Sequence, residues 1–180
     1  MHRLFVALRP PPEIRDALAD VMDGVPGARW QDDDQLHVTL RFIGSVDRPV
    51  AEDIAAALGG LHAMSVEATI AGVGRFGQRG RSEALWAGIA PHEPLAALHR
   101  KIDQAIVRVG LAPEHRAYLP HITLARLPRG ANAGLEVEAW LSRHAGLTSG
   151  LFAFRHLILY ESHLGRHGAS YEPIARWPLG

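Results

Sequence analysis

Apolar and polar positions along the chain follow two periods, and the switches between them mark out its elements. Leu4–Leu8 is an apolar run of strand length. It gives way to Pro10–Pro12, where proline suits a helix start because no N–H is needed in the first turn. The helix so opened spans Pro11–Met22 and is stopped by Gly24, Pro26 and Gly27. Leu36–Ile43 has strand character, Val50–Leu61 is an alanine-rich helix and Ser65–Val73 a further strand. Gly74–Ser82, rich in glycine and arginine, reads as a loop. Leu85–Ile89 predicts a strand, Glu93–Val109 a long amphipathic helix, and Leu119–Leu124 a strand opened by a proline. Gly134–His144 is helical, Phe152–Tyr160 a strand and Tyr171–Trp177 a short final strand.

The order of these elements repeats. The first half runs LFVAL, helix, HVTL, helix, ATIAGV; the second runs LWAGI, helix, HITL, helix, LILY. Two units of one design, related by a pseudo-twofold, would set equivalent residues facing each other across a cleft.

Composition narrows the function classes. The 180 residues are 47% apolar and 21% charged, enough for one domain over 1–180 with a core that needs no staples. Cysteine is absent, which removes thiol nucleophiles, iron–sulfur clusters and cysteine-held metals. Nineteen basic residues balance 19 acidic ones, so any contact with a nucleic acid must be local. Lys101 is the only lysine among them, and arginine suits bidentate phosphate contacts. No apolar stretch approaches the roughly 18 residues of a membrane span. The opening segment is too broken by Arg9 and its prolines for a signal peptide. A monomeric cytoplasmic protein with no membrane partner is expected.

The chemistry is carried by a repeated tetrapeptide, His37-Val38-Thr39-Leu40 and His121-Ile122-Thr123-Leu124. Composition alone gives about 0.03 matches, and two copies about once in two thousand such chains. In a strand His37 and Thr39 share one face while Val38 and Leu40 share the other, and likewise in the second motif. Two such strands across a cleft surround a small anion with two imidazoles and two hydroxyls. That set fits phosphodiester chemistry without a metal. One neutral imidazole takes a proton from the attacking oxygen, the other donates to the leaving oxygen, and the threonines bond the non-bridging oxygens.

Other residues compete for roles. Arg41 shares parity with His37 and is a candidate phosphate or backbone contact; Arg126 has the opposite parity to His121 unless a bulge intervenes. Arg75, Arg79 and Arg81 would form a basic rim such as single-strand binders use. Trp86, Trp140 and Phe42 are assigned to the core, Phe42 because it alternates away from His37 and Thr39. His163 and His167, four apart, have no helix to hold them and only Glu161 as an acidic neighbour, so no metal site is assigned.

With these motifs the chain resembles the RNA 2′,3′-cyclic phosphodiesterases, also called 2′-5′ RNA ligases, of the 2H phosphoesterase superfamily. The matching stretches are RLFVAL, LHVTLRFIGSVD, LWAGI, YLPHITLARL and LYESHLGRHGASYEPIARWPL. Relatives often carry a proline–arginine pair where this chain has Ser82-Glu83. The resemblance implies an α+β fold of two pseudo-twofold lobes, each a mostly antiparallel sheet with outer helices, around a central groove. It implies opening of a 2′,3′-cyclic phosphate at an RNA 3′ end, tRNA halves among them, to a 2′-phosphomonoester. ATP-independent 2′-5′ ligation is the reverse reaction. His37 would be the proton donor and His121 the acceptor, with no cofactor or metal, and the TLAR stretch adds weight to Arg126. The same site could instead serve another cyclic or 2′-5′-linked nucleotide, or a non-catalytic RNA-binding module; intact motifs argue against the last.

Overall fold

The expected helices and strands form close to the positions that periodicity assigns, and their caps explain the boundaries. The computed structural model describes residues 1–77, 83–128 and 133–180; Arg79, Arg81 and Ser82 lie outside the described residues. Strand β1 (His2–Leu8) passes through the prolines into α1 (Pro12–Ala19), with Pro11 as its N-cap. A short β2 (Arg29–Trp30) precedes β3 (Val38–Val46). Asp47 opens α2 (Arg48–Gly59), its side chain accepting the Val50 N–H at 3.2 Å. Strands β4 (Val66–Phe76) and β5 (Glu83–Ala90) lead to α3 (His92–Val109). That helix stops at Gly110, whose φ of +115° is the left-handed cap that favours glycine. The chain continues through β6 (His121–Leu127), α4 (Gly134–His144), β7 (Phe152–Phe154), β8 (His156–Gly165) and β9 (Gly168–Pro178).

The strands pair antiparallel in the order β7-β4-β5-β6-β3-β1-β8-β9, with β2 added to β6. Only one residue pair, Val38 with Ile122, joins β3 to β6. The sheet therefore divides there into two lobes of matching design, β7-β4-β5-β6 with β2 added and β3-β1-β8-β9, the α+β arrangement expected.

The lobes are not the two halves of the sequence. Strand β4, from the first half, pairs with β5, and β8, from the second, pairs with β1. The third strand of each half is thus exchanged. A short connection lets β4 and β5 close as a local antiparallel pair, which costs less chain entropy than returning β4 to β1. The expected single strand Phe152–Tyr160 breaks at Arg155: β7 joins β4 in one lobe and β8 joins β1 in the other. The final strand is longer than its apolar residues suggested, because β9 pairs along the whole of β8.

The main core lies between the sheet and the helices, with Leu4, Leu8, Ile54, Ile102, Ile122 and Trp140 in one cluster. Helix α3 contributes Leu95, Leu98, Ile102 and Ile106, one stripe at helical spacing. The opposite face of the sheet carries a small separate cluster of Phe5, Ala7, Ile158 and Tyr160. Among the described residues no helix is long and apolar enough to cross a membrane.

Candidate active site

The lobes meet over a cleft on this second face, lined by His37, Thr39, His121, Thr123 and Arg126. Because Val38 stands opposite Ile122 in antiparallel register, the two motifs run head to tail. Continuing that register by one residue sets His37 across from Thr123 and Thr39 across from His121. The pseudo-twofold passes between Val38 and Ile122.

Both imidazoles are tethered in the same way. The His37 Nδ1–H donates to the Gln35 carbonyl at 2.6 Å, and the His121 Nδ1–H to the Leu119 carbonyl at 2.8 Å. A carbonyl can only accept, so Nδ1 carries the proton in each ring and Nε2 is left for chemistry. The Nε2 of His37 lies 3.0 Å from Thr39 Oγ1, whose hydroxyl donates to the neutral ring.

The surroundings differ more than the tethers. His37 sits among aromatic rings, 5.0 Å from Phe5, 5.3 Å from Tyr171 and 6.2 Å from Tyr160 between centroids. Burial pushes its pKa down to about 4; the Gln35 carbonyl opposes this, and His121 and Arg126 add to it. His121 packs against Phe76 at 4.8 Å and Trp86 at 6.0 Å. Burial lowers its pKa too, with Leu119 opposing and Arg126 assisting. Between about pH 6.5 and 4 an unfolded His37 binds a proton that the folded chain refuses. The folded chain therefore loses stability as pH falls through that window.

A bulge after each threonine decides what else reaches the cleft. Along β1, Ala7 pairs with Thr39 and Val6 with Arg41, leaving Leu40 unmatched. Along β5, Trp86 pairs with Thr123 and Leu85 with Ala125, leaving Leu124 unmatched. Each extra residue reverses the alternation beyond it. Arg126 is thereby brought to the face of His121 and Thr123.

The same reversal corrects two expectations in the first motif. Arg41 does not face the cleft: it is 7% exposed and turned to the helix side, 2.8 Å from Asp103 and 3.6 Å from Glu114. Phe42 is not core: it is 44% exposed, lines the cleft and lies under the Arg3 guanidinium at 5.1 Å. By pseudo-symmetry Phe42 occupies the place of Arg126.

Trp140 is buried as expected, donating to the Val21 carbonyl at 2.8 Å. Trp86 instead belongs to the cleft face beside His121. Its ring lies across Gly74, where a Cβ would come within 2.3 Å of it, so β4 requires a glycine there. Gln31, Phe5 and Tyr171 also line the cleft and carry no signal in the motifs; parity with Arg3 along β1 could have pointed to Phe5. Arg75 is not on the rim: it is paired with Glu138 of α4 at 3.0 Å. His163 bonds Glu172 at 3.0 Å and forms, with Glu161, a group whose ligating atoms lie within 4.8 Å of one another. Glu161 pairs with Leu4, so this group stands on the face opposite the cleft. His167 lines a hollow next to the cleft, shared with Glu83 and Arg126.

A two-lobed sheet with paired His-x-Thr motifs at its seam defines a class of phosphoesterase fold. The chain belongs to the 2′-5′ RNA ligase superfamily, whose family model matches residues 10–166. The RNA 2′,3′-cyclic phosphodiesterase of Geobacillus stearothermophilus is 29% identical over 97% of this chain and 56% of that protein. The RNA 2′,3′-cyclic phosphodiesterase of Methanocaldococcus jannaschii is 26% identical over 97% of this chain and 99% of that protein. The crystal structure of Escherichia coli LigT complexed with 3′-AMP superposes with a TM-score of 0.77 at 26% identity, covering 99% of this chain and 98% of that one.

Proposed function

We propose that the protein is a metal-independent RNA 2′,3′-cyclic phosphodiesterase, opening a terminal cyclic phosphate to a 2′-phosphomonoester. The observation that carries this reading is the head-to-tail pairing of His37-Thr39 with His121-Thr123 around one cleft, with Arg126 beside them. Water attacks phosphorus as His121 Nε2 takes its proton; the bond from phosphorus to the ribose 3′ oxygen breaks, and His37 Nε2 protonates that oxygen. Thr39, Thr123 and Arg126 hold the charge that builds on the non-bridging oxygens. The 5′-hydroxyl of a second RNA in place of water gives a 2′-5′ linkage without ATP. Both motifs come from one polypeptide, so one chain acts alone, on RNA ends such as those of tRNA halves.

In this assignment His37 must collect its proton as the substrate arrives, since burial holds the ring neutral. An anion beside the ring raises its pKa and offsets that burial. Sulfate, whose own charge is constant over this range, therefore binds more tightly as pH falls from 8 to 5. Titration calorimetry checks this; an affinity that does not change with pH would mean that neither imidazole gains a proton.

The described cleft lining contains no carboxylate, leaving the proton transfers to imidazoles. Full turnover is expected in EDTA on an oligonucleotide ending in a 2′,3′-cyclic phosphate, with a 2′-phosphate as product. Loss of activity restored by one divalent ion, or a 3′-phosphate product, would overturn the reading. Other cyclic or 2′-5′-linked nucleotides in the same assay measure how far the site discriminates.

A further inference from the structure

Outside the cleft, Tyr118, His99 and Arg41 bind backbone carbonyls just past the first motif. Beyond Val38 and Ile122 the catalytic strands share no ladder pair, and the bulge at Leu40 frees carbonyls of β3 from regular pairing. Three side chains take up carbonyls along this stretch. The Tyr118 hydroxyl donates to the Thr39 carbonyl at 3.0 Å, and the His99 Nδ1–H to the Leu40 carbonyl at 2.5 Å. Arg41 donates to the Phe42 carbonyl at 2.8 Å and to the Ala112 carbonyl at 2.5 Å. The rings of His99 and Tyr118 are stacked, 4.4 Å apart at 12°. Asp103, which pairs with Arg41, also accepts the Glu114 backbone N–H at 3.0 Å.

These contacts connect two regions that the sheet does not pair with each other. One is Thr39–Phe42, the continuation of the first motif. The other is Ala112–Tyr118, the segment that delivers the chain to Leu119, whose carbonyl orients His121, and then to His121 itself. In the second lobe the place of Arg41 is taken by Ala125, and the equivalent tie is made by backbone: β2 pairs with β6 at Ala125 and Arg126, and the Gln31 N–H donates to the Leu124 carbonyl at 2.8 Å.

We infer that Arg41, Tyr118 and His99 are positioning residues that set the spacing of His37 and His121 across the cleft. The inference rests on the cyclic-phosphodiesterase reading for its consequence in turnover, and on geometry alone for its structural part. An in-line displacement needs acid and base on opposite sides of one phosphorus. A displacement of about 1 Å in such a pair costs up to about 10²-fold in rate.

Two variants test it in the full chain. Tyr118→Phe removes one hydroxyl and keeps the stacked ring. Arg41→Lys keeps the charge and loses the fork that reaches Ala112, Phe42 and Asp103 together. Each is measured for kcat and KM on a cyclic-phosphate-ended oligonucleotide, for melting temperature, and for the imidazole ¹⁵N resonances of His37 and His121. Expected is a fall in kcat of about tenfold for Tyr118→Phe and about 10²-fold for Arg41→Lys, with KM within about twofold. The resonances of both histidines shift in the folded proteins. Lower melting temperature with unchanged kcat and unchanged resonances would make the network merely structural and overturn the inference. A shift confined to His37 would overturn the cross-cleft part. If the unsubstituted enzyme fails to open the cyclic phosphate, the functional reading falls, and the resonances still decide the tie.

Discussion

Alanine in place of His37 or His121 lowers turnover on a cyclic-phosphate RNA end by about 10²–10⁴-fold while leaving substrate affinity much less affected. Each imidazole offers one nitrogen to the cleft, because the other is committed to the Gln35 or Leu119 carbonyl. Truncating the ring removes a proton carrier that water replaces poorly. Acid and base serve one displacement, so the double variant is little worse than the worse single one. The hydroxyls only bond oxygens: Thr39→Ala or Thr123→Ala costs less, about 1–3 kcal/mol of transition-state stabilisation. The pH–rate profile is bell-shaped and reports values of the pair rather than of either ring. Single-turnover and steady-state kinetics of the four variants check this. Near-normal turnover without either histidine would make that residue structural and end the two-imidazole scheme.

Arg126→Ala lowers kcat by about 10²–10³-fold, the cost of losing one charge aimed at a developing oxyanion. The variant carries a second signature. Arg126 holds down the pKa of both His37 and His121, so its removal lets both rise. The pH–rate profile of the remaining activity should therefore move to higher pH. Arg126→Lys keeps the positive charge but not the planar fork, and recovers the profile's position more fully than the rate. A rate loss without movement of the profile would place Arg126 away from both rings in solution. Unchanged kcat would remove it from the phosphate site.

The elements themselves were legible because each obeys a local rule. Prolines before α1 announce its start, and the helical spacing of apolar residues marks α3. The alternation in HVTL and HITL places imidazole and hydroxyl on one side of a strand. The repeated order of elements announced the pseudo-twofold. Where local rules were applied past the motifs they failed at identifiable residues. Parity carried beyond Leu40 and Leu124 sent Arg41 to the cleft and Phe42 to the core, and left Arg126 on the wrong face. One unpaired residue in each strand reverses all three. Trp86 looked like core because an apolar strand residue gives no sign of which sheet face holds the helices.

Local order along the chain thus dictated the helices and most strands, the twofold repetition and the pairing of imidazole with hydroxyl in each motif. These depend on side chains within a few positions of one another. Tertiary structure decided which strands share a lobe, since β4 and β8 pair across the halves and nothing local distinguishes their partners. It also decided the head-to-tail register at Val38 and Ile122, which turns two separate motifs into one site. Finally it placed the bulges, because whether a residue is squeezed out of a ladder depends on the strand beside it. Arg41 and Arg126 are both arginines just past a His-x-Thr-Leu motif; one residue of offset buries the first on the helix side and opens the second to the cleft.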